Sequence, residues 1–327
     1  MSEKTGVLVV APVFSKTVTG MGMLRERYEV MIVPEFRACS YPEIIQAVVL
    51  GDQKFGVEEM ALFPELKTAA RNGTGYDNVD LLAAKDRGVI VTRVSGPSGE
   101  TVSEYAVGLL LALSRNIASS HDMLARQGQW LKKPGIALSE MNVGIVGLGA
   151  IGRALAKKLN AMGVKGLCGW NRTMTRERVC KAIDECYIDF FSNLEMMVGY
   201  VDALVLCLAL TPETKNILNR DYLSVMKKGA LLVNVGRGAL VDEEALPEMV
   251  ESGRLGGVAL DVFSVEPSPG FAPFERLRQL VGKANVILTP HMAYGTRDVV
   301  EKVGKEVADN VIAVLEGHPE KAETIAI

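Results

Sequence analysis

The tightest constraint on this chain lies at residues 143–153, Val-Gly-Ile-Val-Gly-Leu-Gly-Ala-Ile-Gly-Arg. Four residues that read as a buried strand, Val143 to Val146, run straight into Gly147-x-Gly149-x-x-Gly152, and Leu155, Leu159 and Met162 then recur at helical spacing. Strand, glycine turn and helix in that order form a seat for a dinucleotide pyrophosphate. The first glycine permits the tight turn, the second admits the phosphates, and the third lets helix and strand pack closely. The unpaired N–H groups and positive end of the new helix face the anion. Gly147, Gly149, Ala150, Ile151 and Gly152 are therefore expected to bind a cofactor.

Strand and helix signals alternate on both sides of this run, which argues for an α/β fold with parallel sheets. Before it, strands are expected at residues 6–13, 29–33 and 89–92 and in a stretch ending at Ala70. Helices are expected at 20–28 and 81–87, and a helix at 41–48 gives way to a strand at 48–50. Gly96-Pro97-Ser98-Gly99 interrupts the series, and a long helix at 100–116 opens the second half. Further strands are expected at 166–170, 203–207, 230–235, 257–261 and 286–289. A last helix at 297–315 carries Val299, Val303, Val307, Val311 and Val314 along one face. The 327 residues exceed the roughly 250–300 at which a single core stops growing, so two domains are expected. We expect a discontinuous, flavodoxin-like domain at 1–99 plus 296–327, and a Rossmann domain at 100–295.

A net charge of −3 argues against nucleic acid or an anionic membrane as the main partner. Apolar runs such as 203–210 fall far short of the ~20 residues that span a bilayer. The N-terminus lacks the pattern of a secretory leader. Five cysteines form neither a CxxC pair nor a ligand cluster, so no metal site is expected and the compartment reads as reducing and cytoplasmic.

The strand after the glycine turn ends in Asn171-Arg172-Thr173. A carboxylate usually sits there, ~20 residues past the glycines, and takes the ribose hydroxyls of NAD. Arg172 either holds a 2′-phosphate, with Asn171 and Thr173 as neutral partners, or is a solvated loop residue beside an unphosphorylated adenosine. The missing acid and the nearby Arg176 and Arg178 favour NADP, with NAD possible.

Three polar segments each follow an apolar strand, and they carry Arg237, Glu266 and His291. Ligand chemistry in open α/β sheets gathers at the carboxyl ends of strands. Arg237 suits a carboxylate held in two-pronged fashion. His291 suits proton donation to a carbonyl oxygen as hydride arrives at carbon. Glu266 suits holding the imidazole in one orientation and favouring its protonated form. The other two histidines, His121 and His318, read as surface residues.

These segments and several others resemble the D-isomer-specific 2-hydroxyacid dehydrogenase family almost end to end. The resemblance rests on the run from Asn72 through Gly73-Thr74-Gly75-Tyr76 to Asp80, on Glu104-Tyr105-Ala106, on the glycine turn, on Leu210-Thr211-Pro212-Glu213-Thr214, on Val235-Gly236-Arg237-Gly238-Ala239, on Ala259-Leu260-Asp261-Val262-Phe263 and on Thr289-Pro290-His291. The absence of the usual acid at Asn171 is like the NADP-preferring glyoxylate and hydroxypyruvate reductases. The resemblance implies two Rossmann-like domains with the active site in the cleft between them. It implies Arg237, Glu266 and His291 as the catalytic set, and the amides of Thr74 and Gly75 as partners of the substrate carboxylate. It implies Thr101, Leu208, Thr211, Pro212, Val235 and Gly236 beside the cofactor, and Asp261 near the nicotinamide carboxamide. It implies a homodimer built around the 100–116 helix and the 119–138 excursion, where Trp130 is either an interface aromatic or an intrachain packing residue. Arg93 departs from the family pattern and serves either a second anionic group of the substrate or the surface.

The expected activity is reduction of a small 2-keto acid, such as glyoxylate or hydroxypyruvate, to the D-2-hydroxy acid. The alternatives are oxidation of phosphite on the same fold and a dinucleotide-sensing, corepressor-like binding protein. Glu266 argues against formate, because formate enzymes of the family typically carry Gln there.

Overall fold

The computed structural model describes residues 5–94, 99–173, 175, 185–266 and 270–325. Its fold is α/β, and the chain forms two compact units, one made of Met1–Pro97 with Gly295–Ile327 and the other of Ser98–Tyr294. The Gly96-Pro97-Ser98 interruption and residues Arg176 and Arg178 lie outside the described residues.

The first unit holds β1 (Gly6–Val9), β2 (Glu29–Ile32), β3 (Ile45–Leu50), β4 (Thr68–Arg71) and β5 (Ile90–Thr92). All neighbours pair in parallel, in the order β2-β1-β3-β4-β5. That is the flavodoxin-like order, which reverses between β1 and β3. Central strands of a parallel sheet are covered on both faces and read as unbroken apolar runs. Val7, Leu8, Val9, Val48, Val49 and Leu50 accordingly show no exposed surface.

The helix expected at 41–48 is absent. A single 3-10 turn at Pro42–Ile44 leads directly into β3 at Ile45. Proline suits the opening of that turn, and the β-branched Ile45, Val48 and Val49 suit the middle of a sheet. The short helix Val57–Ala61 gave no periodic signal. It starts at Gly56, whose N–H donates to the Glu59 carboxylate at 2.8 Å. The helix Arg297–Leu315 packs on the helix Val18–Arg25 and on β4. Its Glu301 accepts from the Val18 and Thr19 N–H groups at 2.9 and 3.0 Å, at the N-terminus of that neighbour.

The second unit holds β6 (Asn142–Val146), β7 (Gly166–Trp170), β8 (Asp189–Phe190), β9 (Ala203–Leu206), β10 (Ala230–Asn234), β11 (Leu255–Leu260) and β12 (Val286–Leu288). The parallel order is β12-β11-β10-β9-β6-β7-β8. This is the dinucleotide-fold order with one strand added, and it reverses between β6 and β9. The helix Gly99–Ser114 lies on the helix Ala150–Ala161, burying Val102, Ala106, Leu109, Leu110 and Leu113. Met162 does not continue the buried side of the second helix. That helix ends at Ala161, and Met162 is 44% exposed at its cap. Among the described residues, no helix is long and apolar enough to cross a membrane.

Candidate active site

The glycine turn sits where the strand order reverses. Gly147 has φ +99°, which L side chains rarely adopt, and lies against Cys207 and Leu208 at the end of β9. A Cβ on Gly152 would lie 2.0 Å from the Gly147 carbonyl oxygen, so only glycine fits. Around Gly149 the space beyond the backbone is open. Gly149 caps the helix whose first residues are Ala150 and Ile151, and the amide donors of such a helix end suit an anion. Thr101 lies in the first turn of the helix Gly99–Ser114, which starts 3.4 Å from the Ala150 side chain, measured from a Cβ built on Gly99.

The strand tips beside this turn are fixed from within. Thr214 is fully buried. Its hydroxyl accepts from the Thr211 N–H at 2.7 Å and donates to the Ala209 carbonyl at 2.8 Å, shaping the loop that carries Leu208, Thr211 and Pro212. Gly236 backs onto the Leu208 carbonyl, and Val235 is buried beside it. At the end of β7, Arg172 pairs with Glu213 at 3.1 Å, and the Asn171 amide donates to the Thr173 carbonyl at 3.3 Å. Glu213 therefore lies beside the cation that the sequence reading offers to a 2′-phosphate.

Arg237, Glu266 and His291 follow β10, β11 and β12, three adjacent strands of one sheet edge. Asn234, the last residue of β10, is buried. Its side chain accepts from the Gly236 N–H at 3.0 Å and donates to the Arg237 carbonyl at 2.8 Å, which sets the turn bearing the guanidinium. Glu266 joins two partners: one oxygen accepts from the Phe263 N–H at 2.8 Å, and the other meets His291 Nδ1 at 2.7 Å. His291 itself has φ +50°, a conformation uncommon outside glycine and asparagine. Such strain persists where surrounding structure imposes it.

Asp261 imposes it here. The residue has no exposed surface. Its carboxylate accepts from the Thr289 hydroxyl at 2.6 Å, the Met292 N–H at 3.1 Å and the Ala293 N–H at 2.9 Å, and its carbonyl accepts from the His291 N–H at 2.8 Å. Burial pushes its carboxyl up, against the pull of those bonds and of nearby His291. The oxygens expected beside the nicotinamide carboxamide are thus occupied by the turn that carries His291. Tyr105, from the helix Gly99–Ser114, lies near Thr289, and burial raises its phenol.

In the first unit, Thr74 and Gly75 follow β4. Among the described residues, no acceptor lies against their N–H groups. Sequence reasoning missed what supports this loop. Arg71 is 5% exposed, and its Nε donates to the Gly75 carbonyl at 2.7 Å while Nη2 meets Asp52 at 3.2 Å. An arginine closing a strand whose four residues are all buried is the mark of this support, and burial shows only in the fold. Arg93 lies 5.8 Å from the centre of the Tyr76 ring and 3.6 Å from Glu323, so its charge is already met inside the unit. Trp130 is 78% exposed, which removes the intrachain packing reading.

An imidazole held by a carboxylate can carry and deliver a proton, and a neighbouring guanidinium can fix a carboxylate. Comparison with known proteins gives the family to which such a strand-tip set belongs. The family model described as D-isomer specific 2-hydroxyacid dehydrogenase, NAD binding domain, matches residues 107–293. The chain is 35% identical over 271 residues to a glyoxylate reductase of Thermofilum pendens, covering 81% of this chain and 76% of that one. It is also 35% identical over 263 residues to a D-3-phosphoglycerate dehydrogenase of Methanocaldococcus jannaschii, covering 80% of this chain but 47% of that longer one. Among solved structures, the NADPH-dependent glyoxylate/hydroxypyruvate reductase of Sinorhizobium meliloti, in complex with NADP and malonate, superposes with TM-score 0.81 at 29% identity, covering 99% of this chain and 100% of that chain.

Proposed function

The chain belongs to the D-isomer-specific 2-hydroxyacid dehydrogenase family, oxidoreductases that use NAD or NADP, and within that family we propose that it reduces a small 2-keto acid of the glyoxylate or hydroxypyruvate kind to the D-2-hydroxy acid. The observation that carries this reading is the 2.7 Å bond between His291 Nδ1 and Glu266, at a strand tip adjacent to the one bearing Arg237. The Glu266 carboxylate at Nδ1 orients the imidazole, and the ring is assigned to give its proton to the substrate oxygen. Arg237 and the amides of Thr74 and Gly75 take the substrate carboxylate, which orients the keto carbon for hydride arriving from the nicotinamide.

The dinucleotide pyrophosphate is assigned to the amides at Gly149, Ala150 and Ile151, with Thr101, Leu208, Thr211, Pro212, Val235 and Gly236 along its length. Asn171, Arg172 and Thr173 take the adenosine ribose, and NADP is the preferred form. Asp261 acts on the nicotinamide only through the turn it holds. The protein is assigned to a reducing, cytoplasmic compartment as a homodimer. Exposed Trp130, Leu131, Ile117 and Leu124 supply apolar surface for the second copy, and a sedimentation mass of one chain would refute the dimer.

The testing experiment follows consumption of NADPH and NADH against a panel of 2-keto acids. Turnover of glyoxylate or hydroxypyruvate, faster with NADPH, is the expected result. A folded, dinucleotide-binding protein that turns over no 2-keto acid would overturn the reading.

A further inference from the structure

Glu243 lies on the segment that leaves the Arg237 turn, and nothing in the chemistry above uses it. It is 6% exposed. One of its carboxylate oxygens accepts from the Ser264 N–H at 2.9 Å, and the other from the Ser264 hydroxyl at 2.5 Å. The turn that carries Glu266 is therefore held at two consecutive amides by two different carboxylates. Phe263 N–H goes to Glu266, the turn's own residue, and Ser264 N–H goes to Glu243 from the neighbouring strand connection. Gly238 closes the gap between the two segments, since a Cβ there would lie 1.9 Å from the Phe263 carbonyl carbon and 2.1 Å from the Ser264 nitrogen.

We propose that Glu243 is a positioning residue for the proton donor: it clamps the 263–266 turn to the Arg237 segment, and through Glu266 it fixes the ring of His291. The bland alternative is that Glu243 merely satisfies two donors of a loop residue, Ser264. Its surroundings make that costly. Burial pushes its carboxyl up, and the charges of Glu266 and Glu244 push the same way, against the bonds from Ser264. A neutral acceptor would satisfy the loop without placing a second carboxylate near the first. A glutamate gives two acceptors in the geometry that one residue's N–H and hydroxyl require.

The proposal rests on the 2-keto acid reductase reading, and its test is read in the intact enzyme with hydroxypyruvate as substrate. Glu243→Ala should lower kcat at least about tenfold while leaving the dissociation constant of the reduced dinucleotide unchanged, the loss expected when a distant change displaces catalytic groups. Glu243→Gln, whose amide oxygen accepts from the Ser264 N–H and whose NH2 donates to the hydroxyl oxygen, should restore most of kcat. The deciding arm is the double variant with Glu266→Ala, which removes both bonds of that side chain. Once Glu266 no longer orients His291, the Glu243→Ala loss should disappear, so the two losses should not multiply. Multiplying losses, or weakening of dinucleotide binding in step with kcat, would overturn the proposal. Where Glu243→Ala fails to fold, Ser264→Ala removes one of the same two bonds and should show the same non-additivity in smaller measure. A wild-type enzyme inactive on every 2-keto acid would instead overturn the functional reading on which this rests.

Discussion

Asp261→Asn isolates the geometry of the proton donor from its chemistry. The change is isosteric and leaves no cavity. The side-chain oxygen can still accept from the Thr289 hydroxyl and the Met292 N–H, but the new NH2 confronts the Ala293 N–H, which now donates to the carboxylate at 2.9 Å. One charge-assisted bond is lost, worth about 1.5–3 kcal/mol, and a buried donor is stranded at about 1–3 kcal/mol. Relief from burying a charge offsets part of this, since burial already pushes the Asp261 carboxyl up. A net loss of about 2–3 kcal/mol remains. It corresponds to about 4–12 °C in Tm for a unit of this size. With its clamp weakened, His291 leaves its φ of +50°, and a displacement of about 1 Å costs about a hundredfold in rate. Stopped-flow reduction and dinucleotide titration on the same samples provide the assay. The reasoning predicts a fall in kcat with an unchanged dinucleotide dissociation constant, because Asp261 exposes no surface. A weakening of dinucleotide binding that matches the fall in kcat would refute it and make Asp261 a direct cofactor ligand.

Other expectations follow from the same structure. Glu213→Gln should strengthen NADPH binding relative to NADH, and Arg172→Ala should weaken NADPH selectively, because Glu213 holds the guanidinium assigned to the 2′-phosphate. Equal effects on both cofactors in equilibrium titrations would refute that assignment. Gly152→Ala should abolish dinucleotide binding or folding, since its Cβ would lie 2.0 Å from the Gly147 oxygen, and a soluble variant with normal affinity would contradict the turn as described. Stability should also carry a pH signature. The native Glu243 carboxyl lies above its ordinary 4.5, so the native state binds more protons in that window, and stability falls as pH rises through it. Glu243→Gln does not titrate, so denaturant unfolding should show its stability relative to wild type improving from pH 4 to pH 7, as about 4.5 is crossed. A relative stability that declines over that range would contradict the direction.

What the sequence made legible were features in which neighbours along the chain suffice. The glycine turn, the apolar strands around it and the valine stripe of the Arg297–Leu315 helix are all local patterns. The helix expected at 41–48 failed because Ile44, Ile45, Val48 and Val49 fit a helix face and a buried strand equally well, and only the sheet decides between them. The supports of the site were not legible for a related reason. Arg71 beneath the Thr74–Gly75 loop, Glu243 against Ser264 and Asp261 inside the His291 turn each act on residues that only the fold brings near. Asp261 stands out in the sequence, but its role depends on which donors reach it.

The central claim is hydride transfer between a nicotinamide and the keto carbon of a 2-keto acid, with His291 supplying the proton. The most direct measurement uses reduced dinucleotide carrying deuterium at the transferable position, with hydroxypyruvate as acceptor. The account predicts one deuterium at C2 of the product glycerate, in the D configuration, and almost none formed by His291→Ala at unchanged dinucleotide affinity. Product without the label, product of the L configuration, or full activity in His291→Ala would contradict it.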